Sequence, residues 1–230
     1  DLRLLSGKTT GGVALIQVLF QIQLFVFLLE GLYITLKIAC FTIAFSVVLG
    51  TLLGVARYSG HPLYSRIAAV YIESVRNIPL LLFILAARFM TPLSPVNSGI
   101  LAMTVFTAGV MAEIIRGGLN SIHKGQWEAA RSQGFSYIQT LRYIILPQTF
   151  RNILPPLVSQ FTTVIKDTSF VWAVGVEELT GKGMILLGKY GTTAQVFSIF
   201  ATIAALYFGV NYILSFFSRA QQSRLAIRGF

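Results

Sequence analysis

Few side chains in this sequence could do covalent chemistry. His61 and His123 stand apart from each other, with no Cys, Asp or Glu at ligand spacing, so no metal site is expected and both read as solvated loop residues. Cys40 is the single cysteine; it excludes an internal disulfide and, set in an apolar run, reads as packing. There is no GxxxxGK[ST] phosphate loop, so ATP hydrolysis by this chain itself is not expected, and no nucleophile–base pair emerges from spacing. What remains is recognition chemistry, concentrated in one polar insert, 113–147, EIIRGGLNSIHKGQWEAARSQGFSYIQTLRYIILP.

The insert reads as a short helix held between two apolar runs. Gly125 is placed to open it and Gly134 to close it, because glycine takes the left-handed geometry of a helix end at little cost. Ala129 and Ala130 are strong helix formers with almost no side chain, so a partner backbone can come close. Glu128 lies in the first turn, where negative charge suits the helix dipole. Two readings stay level on these residues alone: a docking helix for a partner, and an ordinary amphipathic loop. Trp127 is likewise either an anchor in a partner groove or a membrane-interface anchor.

The rest of the chain must hold this insert, and its composition says how. Hydrophobic residues make up 55% and charged residues 11%. A soluble domain carries roughly a quarter charged. The deficit fits a polytopic, all-α membrane protein. The net charge of +10 sits between apolar runs, not on one basic face, so no nucleic-acid partner is expected.

Five transmembrane helices are expected, at 31–56, 64–90, 98–115, 136–165 and 194–218. The first carries Gly50 and Gly54, a close-packing pair, and Lys37 about two turns in. In the second, Glu73 and Arg76 are three apart and can neutralise each other, and Pro79 predicts a kink. That kink either borders a substrate path or serves packing. The third is rich in small residues, which predicts a central helix; Glu113 and Arg116 pair near its end. Pro147, Pro155 and Pro156 predict a broken fourth span. Segment 171–193 reads as an external loop with short helices. Segment 1–30 precedes the permease domain 31–218; within it, 13–29 is read as a helix lying in the interface and not as a sixth crossing. Residues 219–230 form a basic tail with Arg219, Arg224 and Arg228. Lys and Arg favour the side of the 117–135 loop, which is therefore read as cytoplasmic together with the tail.

The pattern Glu128-Ala129-Ala130, Gly134, Ile144-x-Leu146-Pro147 resembles the EAA loop of membrane-spanning (permease) subunits of binding-protein-dependent ABC importers. The polar amino acid subgroup is matched by Gly31…Thr35-Leu36, Arg76-Asn77-Ile78-Pro79-Leu80-Leu81, Gly125-Gln126, Leu146-Pro147-Gln148 and Lys166-Asp167-Thr168-Ser169-Phe170. The resemblance covers most of the chain, from about Gly31 to about Arg219. It implies a type I ABC importer permease fold. It also implies a coupling helix, with Gly125, Gln126, Trp127, Glu128, Ala129, Ala130, Arg131 and Gly134 docking a separate ATPase subunit that uses ATP and Mg. Further implied partners are a second permease subunit, identical or related, and an extracytoplasmic solute-binding protein, in a prokaryotic cytoplasmic membrane. The implied cargo is a polar amino acid, with a lean toward glutamine, glutamate or aspartate. The Lys166-Asp167-Thr168-Ser169 segment is implied near the translocation path, as a gate or helix-end fixture. Polar character near the expected core adds Thr107, Glu113 and Thr163 to Lys166 as pathway candidates, and the break expected at Pro79 adds Arg76 and Pro79. The competing readings are a membrane receptor or scaffold whose loop recruits a cytoplasmic partner, and a permease for a cargo other than an amino acid.

Overall fold

The computed structural model describes the backbone of residues 3–190 and 192–227 and the side chains of residues 22–190 and 192–220. Among these residues every regular element is helical. The side chains of Arg224 and Arg228 in the basic tail lie outside the described residues.

Helix α1 runs from Arg3 to Tyr58 without interruption. The separate interfacial helix expected over 13–29 is therefore not observed. The reason is local: neither proline nor glycine occurs in 13–29, so nothing there breaks the helix. Its apolar part, Ile22–Tyr58, has 37 residues. At 1.5 Å per residue that is about 55 Å, well beyond a hydrocarbon core of roughly 30 Å. Helix α2 (Pro62–Arg76) and α3 (Leu80–Met90) meet at a bend of 100° across the break that holds Pro79. Proline cannot donate the bond that would continue α2, so the expected kink becomes a full break.

Helix α4 (Pro95–Asn120) is the centre of the bundle and packs on α1, α2 and α3. Its small residues allow this. A Cβ at Gly50 would stand 2.5 Å from Met111 Cβ, and one at Gly54 would stand 2.7 Å from the Ala112 carbonyl oxygen. The glycine pair of α1 is thus the point of closest approach to α4. Ile38, Ile84, Met103, Val164 and Val171 fill the main core.

After α5 (Lys124–Ser132) the chain turns into α6 (Tyr137–Thr140), a π-helical turn (Leu141–Ile145) and α7 (Leu146–Asp167). The irregularity expected at three prolines is concentrated in that one wide turn. Pro147 follows it directly, where a wider turn keeps the ring from the carbonyl four residues back. The helix continues through Pro155 and Pro156. A 3-10 turn (Thr168–Val174) leads to α8 (Leu179–Leu187), and α9 (Thr193–Ile227) closes the chain.

Three described helices are long and apolar enough to cross a bilayer: Ile22–Tyr58, Pro95–Asn120 and Thr193–Ala220. The bent pair α2–α3 passes the same test only when its two helices are counted as one span. The fourth expected span, 136–165, corresponds to the 22-residue α7 and the turns before it, but α7 is too polar to qualify, with Gln148, Arg151, Asn152 and Gln160 along it. Segment 171–193 forms the expected short helices, and Val171, Glu178, Leu179 and Lys182 are buried against the bundle. It packs as a wedge between α1 and α9.

Candidate coupling and translocation sites

Helix α5 is held by its two ends. At the front, His123 is the N-cap: its Nδ1 accepts from the Gly125 amide at 3.0 Å. Gly125 is therefore inside the first turn, not at the opening of the helix. A Cβ there would lie 3.0 Å from His123 Nδ1, so glycine leaves room for the cap. The histidine read from sequence as a solvated loop residue is thus the cap itself; a histidine two positions before a glycine was the only signal. His61 caps α2 in the same way, accepting from the Leu63 amide at 3.3 Å.

At the back, Gly134 has φ +83, as expected for a residue that closes a helix. The Gly134 amide donates to the Arg131 carbonyl at 2.9 Å and the Phe135 amide to the Ala130 carbonyl at 3.1 Å. This pair of bonds is the Schellman arrangement. Ser136 and Gln139 then form a capping box that starts α6.

Between the caps, Gln126, Glu128, Ala129 and Arg131 are exposed. Ala130 is 3% exposed. Only one of the two alanines is therefore free for a partner, and the other packs on this chain. Trp127 also turns inward, stacking on Tyr137 with ring centroids 5.2 Å apart. Its aromatic face is used within the chain. The free face of α5 is thus polar and small, bounded by exposed Tyr137 and Ile138.

The pathway candidates do not gather at one place. Glu113 takes a bidentate pair from Arg116, at 2.8 and 3.0 Å, and its carboxylate lies 3.8 Å from Arg76. The expected Glu73–Arg76 pair is replaced by this bridge, because Glu113 on the neighbouring helix already engages Arg76. Thr107 is 2% exposed, higher on α4. Thr163 donates to the Ser159 carbonyl at 3.1 Å, a bond within its own helix. Lys166 lines a cavity of about 310 Å³ between α7 and α9 with Thr162, Asn211, Ser215 and Arg219. Asp167 ends α7, and Thr168 begins the 3-10 turn with its buried hydroxyl donating to the Ile165 carbonyl at 2.8 Å. Ser169 sits in that turn, half-buried. Among the described residues no group of three potential ligands could hold a metal.

The strongest buried polar site was missed from sequence. Glu178 is 0% exposed. It accepts from Thr35 Oγ1 at 3.1 Å, Tyr207 hydroxyl at 2.9 Å, the Thr180 amide at 3.0 Å and the Gly181 amide at 2.8 Å. Thr35 Oγ1 in turn accepts from the Leu179 amide at 3.1 Å. Beside it, Lys182 pairs with Glu30 and lies 4.1 Å from the Phe27 ring centroid. One carboxylate therefore ties α1, α8 and α9 together. The only legible signal was Gly31…Thr35, which carried no partner information by itself.

Comparison with known proteins places the fold in a family. The family model described as "Binding-protein-dependent transport system inner membrane component" matches residues 46–227. A protein of Bacillus subtilis (strain 168) named "Probable glutamine ABC transporter permease protein" is 41% identical over 203 residues, covering 86% of this chain and 93% of that relative. The "Glutamine transport system permease protein" of Escherichia coli (strain K12) is 34% identical over 208 residues, covering 87% and 93%. Among solved structures, an amino acid ABC transporter crystallised with histidines superposes with a TM-score of 0.80 at 29% identity, covering 91% of this chain and 97% of that chain. An all-helical bundle with apolar spans and a capped polar helix, matched along most of its length, belongs to the family of binding-protein-dependent transport system inner membrane components: this chain is an integral membrane transporter subunit.

Proposed function

We propose that this chain is the permease subunit of an ATP-driven importer for a polar amino acid, with glutamine the first candidate. The cargo follows from the names of the two relatives above. The observation that carries the mechanism is α5: a short helix closed at Gly134, presenting Glu128 and Ala129 outward, with little of this chain packed over it.

On this reading α5 is the coupling helix and docks on a separate ATPase subunit, where ATP and Mg are used. Two permease subunits enclose a path, and an external binding protein delivers the amino acid. Closure of the ATPases draws the coupling helices together. That motion passes through α6 and the π-turn into α7 and opens the path outward. Residues 117–135 and the C-terminal end of α9 face the cytoplasm, and α7 completes five crossings with its polar face toward the path or the second subunit. Lys166, Asp167, Thr168 and Ser169 fix the outer end of α7 beside that path. The Arg76–Glu113–Arg116 bridge lines its inner part, below the break at Pro79.

The test is uptake into proteoliposomes holding this chain with its co-purifying ATPase and binding protein. ATP-dependent accumulation of glutamine, with other amino acids as competitors, supports the reading. An intact complex that hydrolyses ATP yet accumulates no amino acid overturns the cargo. Failure of any ATPase to co-purify overturns the coupling role of α5.

A further inference from the structure

Helices α1 and α4 run parallel, as their contacts show: Ser46 Oγ donates to the Thr104 carbonyl, and Gly50 and Gly54 meet α4 successively further along. On one side of this pair lies a cleft of about 590 Å³. Two of its three described polar residues stand together. Lys37 and Asn97 are at the end where α4 begins, Asn97 in the first turn of that helix. Beneath them the walls are mostly hydrocarbon, including Phe41, Phe45 and Leu101. Phe41 and Phe45 stack on each other with centroids 6.1 Å apart and are about half exposed.

Thr104 also lines the cleft. It is 9% exposed, and its hydroxyl has no hydrogen-bond partner among the described residues. Lys37 is exposed and makes no ion pair with any described residue, unlike Lys182. Among the described residues no carboxylate lines the cleft to neutralise it. A cation inside an apolar span is costly unless something compensates it.

We propose that this cleft is a binding site for a phospholipid with an anionic headgroup. The phosphate is held at Lys37 and Asn97, and an acyl chain runs down the Phe41–Phe45 wall. The order of polar mouth over apolar shaft is that of a lipid standing in one leaflet, and the unpaired ammonium selects negative charge. A soluble amino acid would leave most of the shaft wall unmatched. The leaflet assignment rests on the proposed topology, which puts the start of α4 at the outer surface; the existence of the site does not.

The test places a reporter in the shaft, Phe41→Trp, in the full complex in nanodiscs, with bromine-labelled phosphatidylglycerol or phosphatidylethanolamine as quencher. Preferential quenching by phosphatidylglycerol is expected, at about fivefold lower mole fraction, the scale set by one surface lysine. Adding Lys37→Gln should remove the preference, whereas Lys37→Arg should keep it. Equal quenching by both lipids, or a preference that survives Lys37→Gln, overturns the proposal. So does protection from both quenchers, since it would mean that a second copy of this chain covers the cleft. Vesicles carrying the brominated lipid in one leaflet only separate the two readings. Selective quenching from the inner leaflet keeps the site and overturns the topology.

Discussion

Two short helices of similar length, α5 and α8, are held in opposite ways. Helix α5 is fixed by its own ends, with His123 in front and Gly134 behind, and most of its polar face stays in solvent. Helix α8 is fixed by other helices, through Glu178 to Thr35 on α1 and Tyr207 on α9. On the proposed function, the contrast separates a part left open for a partner protein from a part that completes this one. Local capping defines a shape without using the outward side chains. Cross-helix bonding consumes them.

Substitutions should divide along that line. The largest loss of stability is expected from Glu178→Ala, which leaves two backbone amides, a threonine and a tyrosine hydroxyl without their acceptor. Removing such a buried partner costs roughly 2–4 kcal/mol, and a lower melting temperature of the detergent-solubilised chain would register it. An unchanged melting temperature would mean the wedge is not held by Glu178. Gly134→Val strikes the other region. A β-branched residue at φ +83 is strained by about 1–2 kcal/mol, although nothing crowds the position. The fold should survive while amino acid uptake per ATP hydrolysed falls; preserved coupling would contradict the role given to α5. Glu128→Lys should leave the melting temperature where it is and reduce ATPase co-purification, and unaltered co-purification would remove Glu128 from the docking surface. The smallest effect belongs to His123→Ala, the loss of one exposed N-cap worth about 1 kcal/mol. His123→Asn should restore it, and the protease sensitivity of 123–134 compared between the two variants reads the difference.

Much of this division was legible in the sequence, and its failures have physical reasons. The spans α1, α4 and α9 announce themselves because hydrocarbon demands long apolar runs. Gly50 and Gly54 pointed to close packing, and the structure names the partner as α4. Gly134 was readable because a left-handed residue at a helix end is a local requirement. Gly125 was misplaced because capping by a histidine side chain is not what its neighbours suggest. Glu73–Arg76 was misread because spacing along one helix says nothing about Glu113 on the next. The burial of segment 171–193 was not legible, because glycines and charges usually mean solvent. Glu178 and Lys182 are instead compensated from Thr35, Tyr207 and Glu30, partners that sequence distance hides. Helix α7 is under-apolar for a span, a pattern composition flags but cannot assign to a path or a subunit.

The glycine contact between α1 and α4 has one more consequence, which is mechanical. With a Cβ-sized gap missing at Gly50 and Gly54, the two helices interlock like meshed teeth. Sliding them along each other would drive Met111 or the Ala112 carbonyl into the opposing backbone. The pair is a girder. On the proposed function, a stroke delivered at α5 is then absorbed where the backbone departs from a regular α-helix, among them the 100° break before α3, the π-turn before α7 and the 3-10 turn after it.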